Sequence, residues 1–159
     1  MKPGYSVLFA FFLLTLLISC SQPCCTNIDI NVTVSVKDQA GNNLLDPATT
    51  GFYKPEEIKL FSLNNGVRTQ LVNTNTNKYH VYQEGAKSFL TFYPEGSGSI
   101  ITTIVQWRTN DEDVFESTLE STKNSTICTA VKCNGVVKFD LKAGVVNPDG
   151  FRRQIDIVK

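Results

Sequence analysis

The chain predicts an all-β fold, an antiparallel β-sandwich of roughly nine or ten strands, on three observations. Apolar and polar residues alternate with a period of two through most of the sequence, as in "IDINVTVSV". Clusters of Gly, Asn, Asp and Pro break the chain about every ten residues, which is turn chemistry. After the N-terminal apolar run, no stretch repeats apolar residues at helical spacing.

The elements follow in order. In "IDINVTVSV", Ile28, Ile30, Val32, Val34 and Val36 share one face and Asp29, Asn31, Thr33 and Ser35 the other, which reads as one half-buried strand. "DQAGNN" turns the chain, and "DPATTG" with "KPEE" punctuates a longer loop through Pro47, Gly51 and Pro55. "IKLFSL" sets Ile58, Leu60 and Ser62 against Lys59, Phe61 and Leu63. Asn64 to Gly66 is the strongest hairpin turn in the chain, because Asn-Gly tolerates the positive φ of a type I′ turn, and "VRTQLV" is its return strand. Further strands read at 78–83, 87–93, 100–108, 114–120, 126–132, 136–141 and 153–158, separated by "EGA", "PEGSGS", "NDED", "KNS", "CNG" and "NPDG". This count and spacing point to a sandwich of immunoglobulin-like or transthyretin-like type, with a small barrel as the alternative. The cysteine and tryptophan spacing of antibody domains is missing, since Trp107 lies close to Cys133 and far from Cys24.

With 42% hydrophobic and 19% charged residues, the composition is that of a globular chain able to bury a core, and its length fits one domain over residues 27–159. Fifteen acidic and fifteen basic residues are mixed along the chain, a balance that suggests neither nucleic acid nor an anionic lipid surface as partner.

The N-terminus carries an address. Lys2 precedes an apolar run from Val7 to Ile18, which suits a secretory signal and is too short to span a bilayer. Leu17, Ile18 and Ser19 then lead straight into Cys20, a pattern that resembles the bacterial lipobox. The resemblance implies cleavage after residue 19, a thioether-linked diacylglycerol on Cys20, and a short lipidated tether over residues 20–26. Since each buried methylene contributes about 0.8 kcal/mol, two or three acyl chains hold a protein firmly on its membrane.

Beyond the address, "VSVKDQAGNNLLDP" (34–47), "EEIKLFSLNNG" (56–66) and "TICTAVKCNGVVKFD" (126–140) resemble the small outer-membrane lipoproteins of unknown function abundant in Bacteroidetes. The resemblance implies a secreted, lipidated sandwich and brings no catalytic residue or cofactor with it. Members that reach the cell surface often carry acidic residues after the lipidated cysteine, and "SQPCC" has none. The periplasmic face and the cell surface therefore both stay open.

Four cysteines remain beyond Cys20, and an even number in an exported chain favours disulfides. A bridge between Cys128 and Cys133 is preferred, with Cys24 and Cys25 in the tether. A staple from the tether to Cys128 or Cys133 is the rival. A zinc site is disfavoured, because no C-x-x-C spacing exists.

Other sites are weaker. His80 in "KYHVY" shares a strand face with Lys78 and Tyr82, and nothing local supplies the carboxylate and nucleophile that a general base would need. Asp111, Glu112 and Asp113 gather three carboxylates that could hold calcium on a bent loop, but they read more simply as a solvated hairpin tip. Among the mid-chain aromatics, Phe89 and Trp107 are assigned to the core, and Tyr79, Tyr82, Phe92 and Tyr93 are candidates for an exposed ligand platform. No hydrolase, P-loop or dinucleotide motif is present. The expectation is a non-enzymatic, lipid-anchored envelope protein without cofactor. It acts as an interaction or accessory module, as a carbohydrate-binding module linked to glycan uptake, or as a structural or adhesion component, with an envelope protein or a glycan as partner.

Overall fold

The structure, a computed structural model, describes residues 27–73, 78–146 and 153–159. Cys20, Cys24 and Cys25, with the expected signal and tether, lie outside the described residues. Among those described there is no helix, and eleven strands form two sheets. They are β1 (Asn27–Asp29), β2 (Val32–Lys37), β3 (Lys59–Asn64), β4 (Val67–Leu71), β5 (Tyr79–Glu84), β6 (Lys87–Phe92), β7 (Ile100–Arg108), β8 (Asp111–Ser121), β9 (Ser125–Cys133), β10 (Val136–Asp140) and β11 (Gln154–Val158).

The larger sheet runs β1-β9-β8-β7-β3-β4, with β10 beside β1 along the same edge of β9. The smaller runs β11-β2-β6-β5. The sheets stay open and face each other as a sandwich, not as a closed barrel. Most pairings are antiparallel, as expected, but β1 runs parallel to β9 and β11 parallel to β2, so both sheets are mixed.

The core lies between the inner faces. Val32, Val34, Val36, Leu90, Phe92, Ile155 and Ile157 come from the small sheet, and Leu60, Val105, Trp107, Phe115 and Val131 from the large one. Each fully buried aliphatic side chain contributes about 1.5–3 kcal/mol. Phe92 meets Phe115 across the interface edge to face, with ring centroids 5.2 Å apart. Ile58, Leu60 and Ser62 are all buried, as alternation predicts, and the Asn64–Gly66 turn forms with Asn65 at φ 50° and Gly66 at φ 78°, as a type I′ turn requires.

The expected single strand over "IDINVTVSV" divides in two. β1 joins the large sheet and β2 the small one, and Ile28, assigned to the core by alternation, is 65% exposed. Arg153 holds the crossing open: its guanidinium donates to the Asn31 carbonyl oxygen and to Asn31 Oδ1, both at 2.8 Å, and pairs with Asp29. The Asn31 carbonyl therefore binds a side chain where an unbroken strand would continue its ladder.

Candidate functional site

The outer face of the small sheet carries the candidate site. The β5–β6 hairpin pairs His80 with Thr91 and Tyr82 with Phe89, while β2 pairs Thr33 with Thr91. Because side chains alternate, Tyr79 and Val81 turn toward the core, and His80 and Tyr82 turn away from it. The result is an open groove of about 480 Å³ lined by Asn31, Thr33, His80, Tyr82, Thr91 and Tyr93, with Glu84 at one end.

Its floor is polar and its wall aromatic. Thr33 and Thr91 are both buried, and their hydroxyls meet at 2.9 Å. The His80 and Tyr82 rings lie 5.4 Å apart, and Tyr82 covers Phe89 at 5.7 Å. Phe89 is thereby buried although it faces outward. Tyr93 is 41% exposed at the other end. Apolar ring faces beside hydroxyl and amide groups suit a ligand that has an apolar face and a polar rim.

Of the four predicted platform aromatics, Tyr82 and Tyr93 are brought together here. Phe92 and Tyr79 are not: Phe92 is fully buried in the core, and Tyr79 is half-buried on the inner face, packed against it. Alternation separates Phe89 from Phe92 but does not say which face points inward, and β2, which decides it, is distant in sequence. His80 joins the groove although sequence reasoning set it aside. The signal was its shared face with Tyr82.

The "NDED" carboxylates go elsewhere. Asp111 and Asp113 point into the sandwich and Glu112 points out, because alternation on β8 divides them. Glu112 takes both guanidinium nitrogens of Arg68, at 2.7 and 3.0 Å. Asp113, almost fully buried, accepts from Trp107 Nε1 at 2.6 Å, from Asn134 Nδ2 at 2.7 Å and from Lys159 Nζ at 2.7 Å. Asp111 accepts from Tyr53 at 2.6 Å and from Lys159 at 2.8 Å. The reading of all three as a solvated hairpin tip is corrected, since Asp113 is almost fully buried and engaged inside the sandwich. The weaker calcium alternative finds no support, because the three carboxylates do not converge and among the described residues no three His, Cys, Asp or Glu side chains could hold one ion.

Burial pushes the Asp111 carboxyl up, but hydrogen bonds from Lys159 and Tyr53 outweigh it and hold the group below its ordinary value. Burial likewise pulls the Lys159 ammonium down, and its bonds to Asp111 and Asp113 raise it further than burial lowers it. Lys159 closes this network from the end of β11, so it ties the small sheet to β8 of the large one.

The preferred disulfide is also corrected. Cys128 and Cys133 are free and buried. They stand five residues apart on one strand, a separation of about 16 Å at about 3.3 Å per residue. A disulfide requires Cα atoms within about 7 Å. Burial pushes both thiols up to about 11, so they sit as small apolar side chains.

No protein-family model, curated protein or solved structure matches this chain.

Proposed function

We propose that this chain is a lipid-anchored, non-enzymatic glycan-binding module of the bacterial outer membrane. The observation that carries the reading is the groove on the small sheet, where the Tyr82, His80 and Tyr93 rings stand beside the paired Thr33 and Thr91 hydroxyls. A sugar ring offers an apolar C–H face to an aromatic wall and hydroxyls to a polar floor, and both are present within one groove. The lipobox-like Leu17-Ile18-Ser19-Cys20 supports the anchor.

The test is glycan-array binding by the chain with Cys20→Ser, which removes the lipid attachment site. Binding to a defined glycan class, lost in Tyr82→Ala, is the expected result. A uniformly flat array would count against the reading. Protease accessibility of a C-terminally tagged chain on intact cells, beside the Cys20→Ser form, then reads both anchoring and the face of the membrane.

A second reading, contact with an envelope protein, rests on the β10 edge. Val136 and Val137 on β10 and Leu141 just after it are 58%, 43% and 48% exposed, three apolar side chains close together at one edge. Cross-linking from position 137 would recover a defined partner if that reading holds.

A further inference from the structure

A second groove, of about 500 Å³, opens where the β3–β4 hairpin meets the chain leaving β6. Ser62, Asn64, Thr69, Gln70, Lys78 and Glu95 line it. Its character differs from that of the first. No aromatic ring is present, amide and hydroxyl groups make the walls, and Lys78 pairs with Glu95 at 2.7 Å across the rim. Ser62 is buried at the floor. Gly96 lies close against the hairpin: a Cβ there would come 2.7 Å from Asn64 Oδ1 and 3.3 Å from the Ile101 side chain, so a larger residue would require both to shift.

The two grooves adjoin. Lys78, which lines the second, is the cross-strand neighbour of Tyr93, which lines the first, and the Tyr93 N–H donates to the Lys78 carbonyl at 3.0 Å. Lys78, His80 and Tyr82 follow one another on the same strand face, covering about 13 Å at about 3.3 Å per residue. The ring-walled groove therefore borders the amide-walled one at the Lys78–Tyr93 pair, at the open end of the β5–β6 hairpin.

We infer that the two grooves form one binding track, and that the ligand is a linear oligosaccharide long enough to occupy both. This deepens the glycan reading and rests on it. One end of the sugar chain stacks on Tyr82 and Tyr93. The other extends past Lys78 and Glu95, exchanging hydrogen bonds with Asn64, Thr69 and Gln70. The charged pair at the junction offers one donor and one acceptor group to a neutral sugar. Its surface position means that loosening it costs little, since exposed pairs contribute about 0–1 kcal/mol.

The test is calorimetric titration of the Cys20→Ser chain with malto-, cello- and xylo-oligosaccharides, each from disaccharide to hexasaccharide, beside Tyr82→Ala and Lys78→Ala. In a series that binds, affinity is expected to rise at least about tenfold from disaccharide to hexasaccharide. Lys78→Ala should remove most of that gain and leave the disaccharide unchanged, while Tyr82→Ala should weaken every length. Affinity that does not change with length, or a hexasaccharide indifferent to Lys78→Ala, overturns the single track and leaves the first groove as the site. Failure of every series to bind overturns the track, and a flat glycan array beside it overturns the glycan reading beneath it as well.

Discussion

The network around Asp113 and the groove over Thr33 and Thr91 are built from the same kinds of residue: aromatic rings, carboxamides, hydroxyls and a few charges. In the network each partner is used up inside the protein. Trp107, Asn134 and Lys159 saturate Asp113, Tyr53 and Lys159 occupy Asp111, and the Tyr53 and Trp107 rings stack at 5.5 Å. In the groove the Tyr82 ring meets those of His80 and Phe89, and Tyr82 and Tyr93 both line a cleft open to solvent. A polar cluster whose groups are all satisfied stabilises a fold, whereas one with open ring faces and a reachable polar floor is available to a ligand.

The largest expected effect breaks the network from the β11 side. Lys159→Met leaves Asp113 buried without its cation and should cost about 3–5 kcal/mol, read as a lower urea midpoint with an unchanged slope. Glycan affinity should be unchanged. A loss below about 1 kcal/mol would place Lys159 among ordinary surface pairs and dissolve the contrast.

A smaller effect is expected from Trp107→Phe, which keeps an aromatic ring beside Tyr53 but removes the indole N–H that Asp113 accepts, together with some buried ring volume. Depriving a buried acceptor of one of its three partners should cost about 1–3 kcal/mol, again by urea denaturation.

The pH dependence sharpens the same point. Asp111 is held below its ordinary value in the folded chain, so its contribution is present above the unfolded value and is lost as pH falls through the folded one. Lys159 is held above its ordinary value, so its contribution persists through the normal lysine range and disappears only as pH rises beyond it. The stability gap between the wild-type chain and Lys159→Met should therefore be flat from about pH 5 to 9 and narrow below about pH 4. A gap that widened in acid would contradict the assigned partners.

Much of this was legible in the sequence, and what escaped has a physical reason. Period-two alternation gives the faces of β3 because the strand is local, and Asn65-Gly66 gives its turn because the backbone demands positive φ there. The division of β1 from β2 depends on Arg153, more than a hundred residues away, and leaves no trace in the local pattern. The Asp113 network draws on Tyr53 and Lys159 for the same reason. The rejected Cys128–Cys133 bridge is different, because five positions along an extended strand already exceed the reach of a disulfide. The signal was present there and strand geometry outweighs cysteine parity.

The finest test of the contrast lies within one hairpin, between Tyr82 and Phe92, two rings that the sequence placed in the same candidate set. Phe92 is fully buried against Phe115, so Phe92→Ala should cost about 3–5 kcal/mol. Tyr82 is half-buried and packs its ring against those of His80 and Phe89, so Tyr82→Ala should cost about 1 kcal/mol. Its glycan affinity should nevertheless fall at least about tenfold, equivalent to 1.4 kcal/mol. The two losses are independent in principle, since stability reads contacts made without ligand and affinity reads the ring face left open to it. If Tyr82→Ala were instead as unstable as Phe92→Ala, the ring's role would be to cover Phe89. The groove would then join the Asp113 network as a structural element of the sandwich.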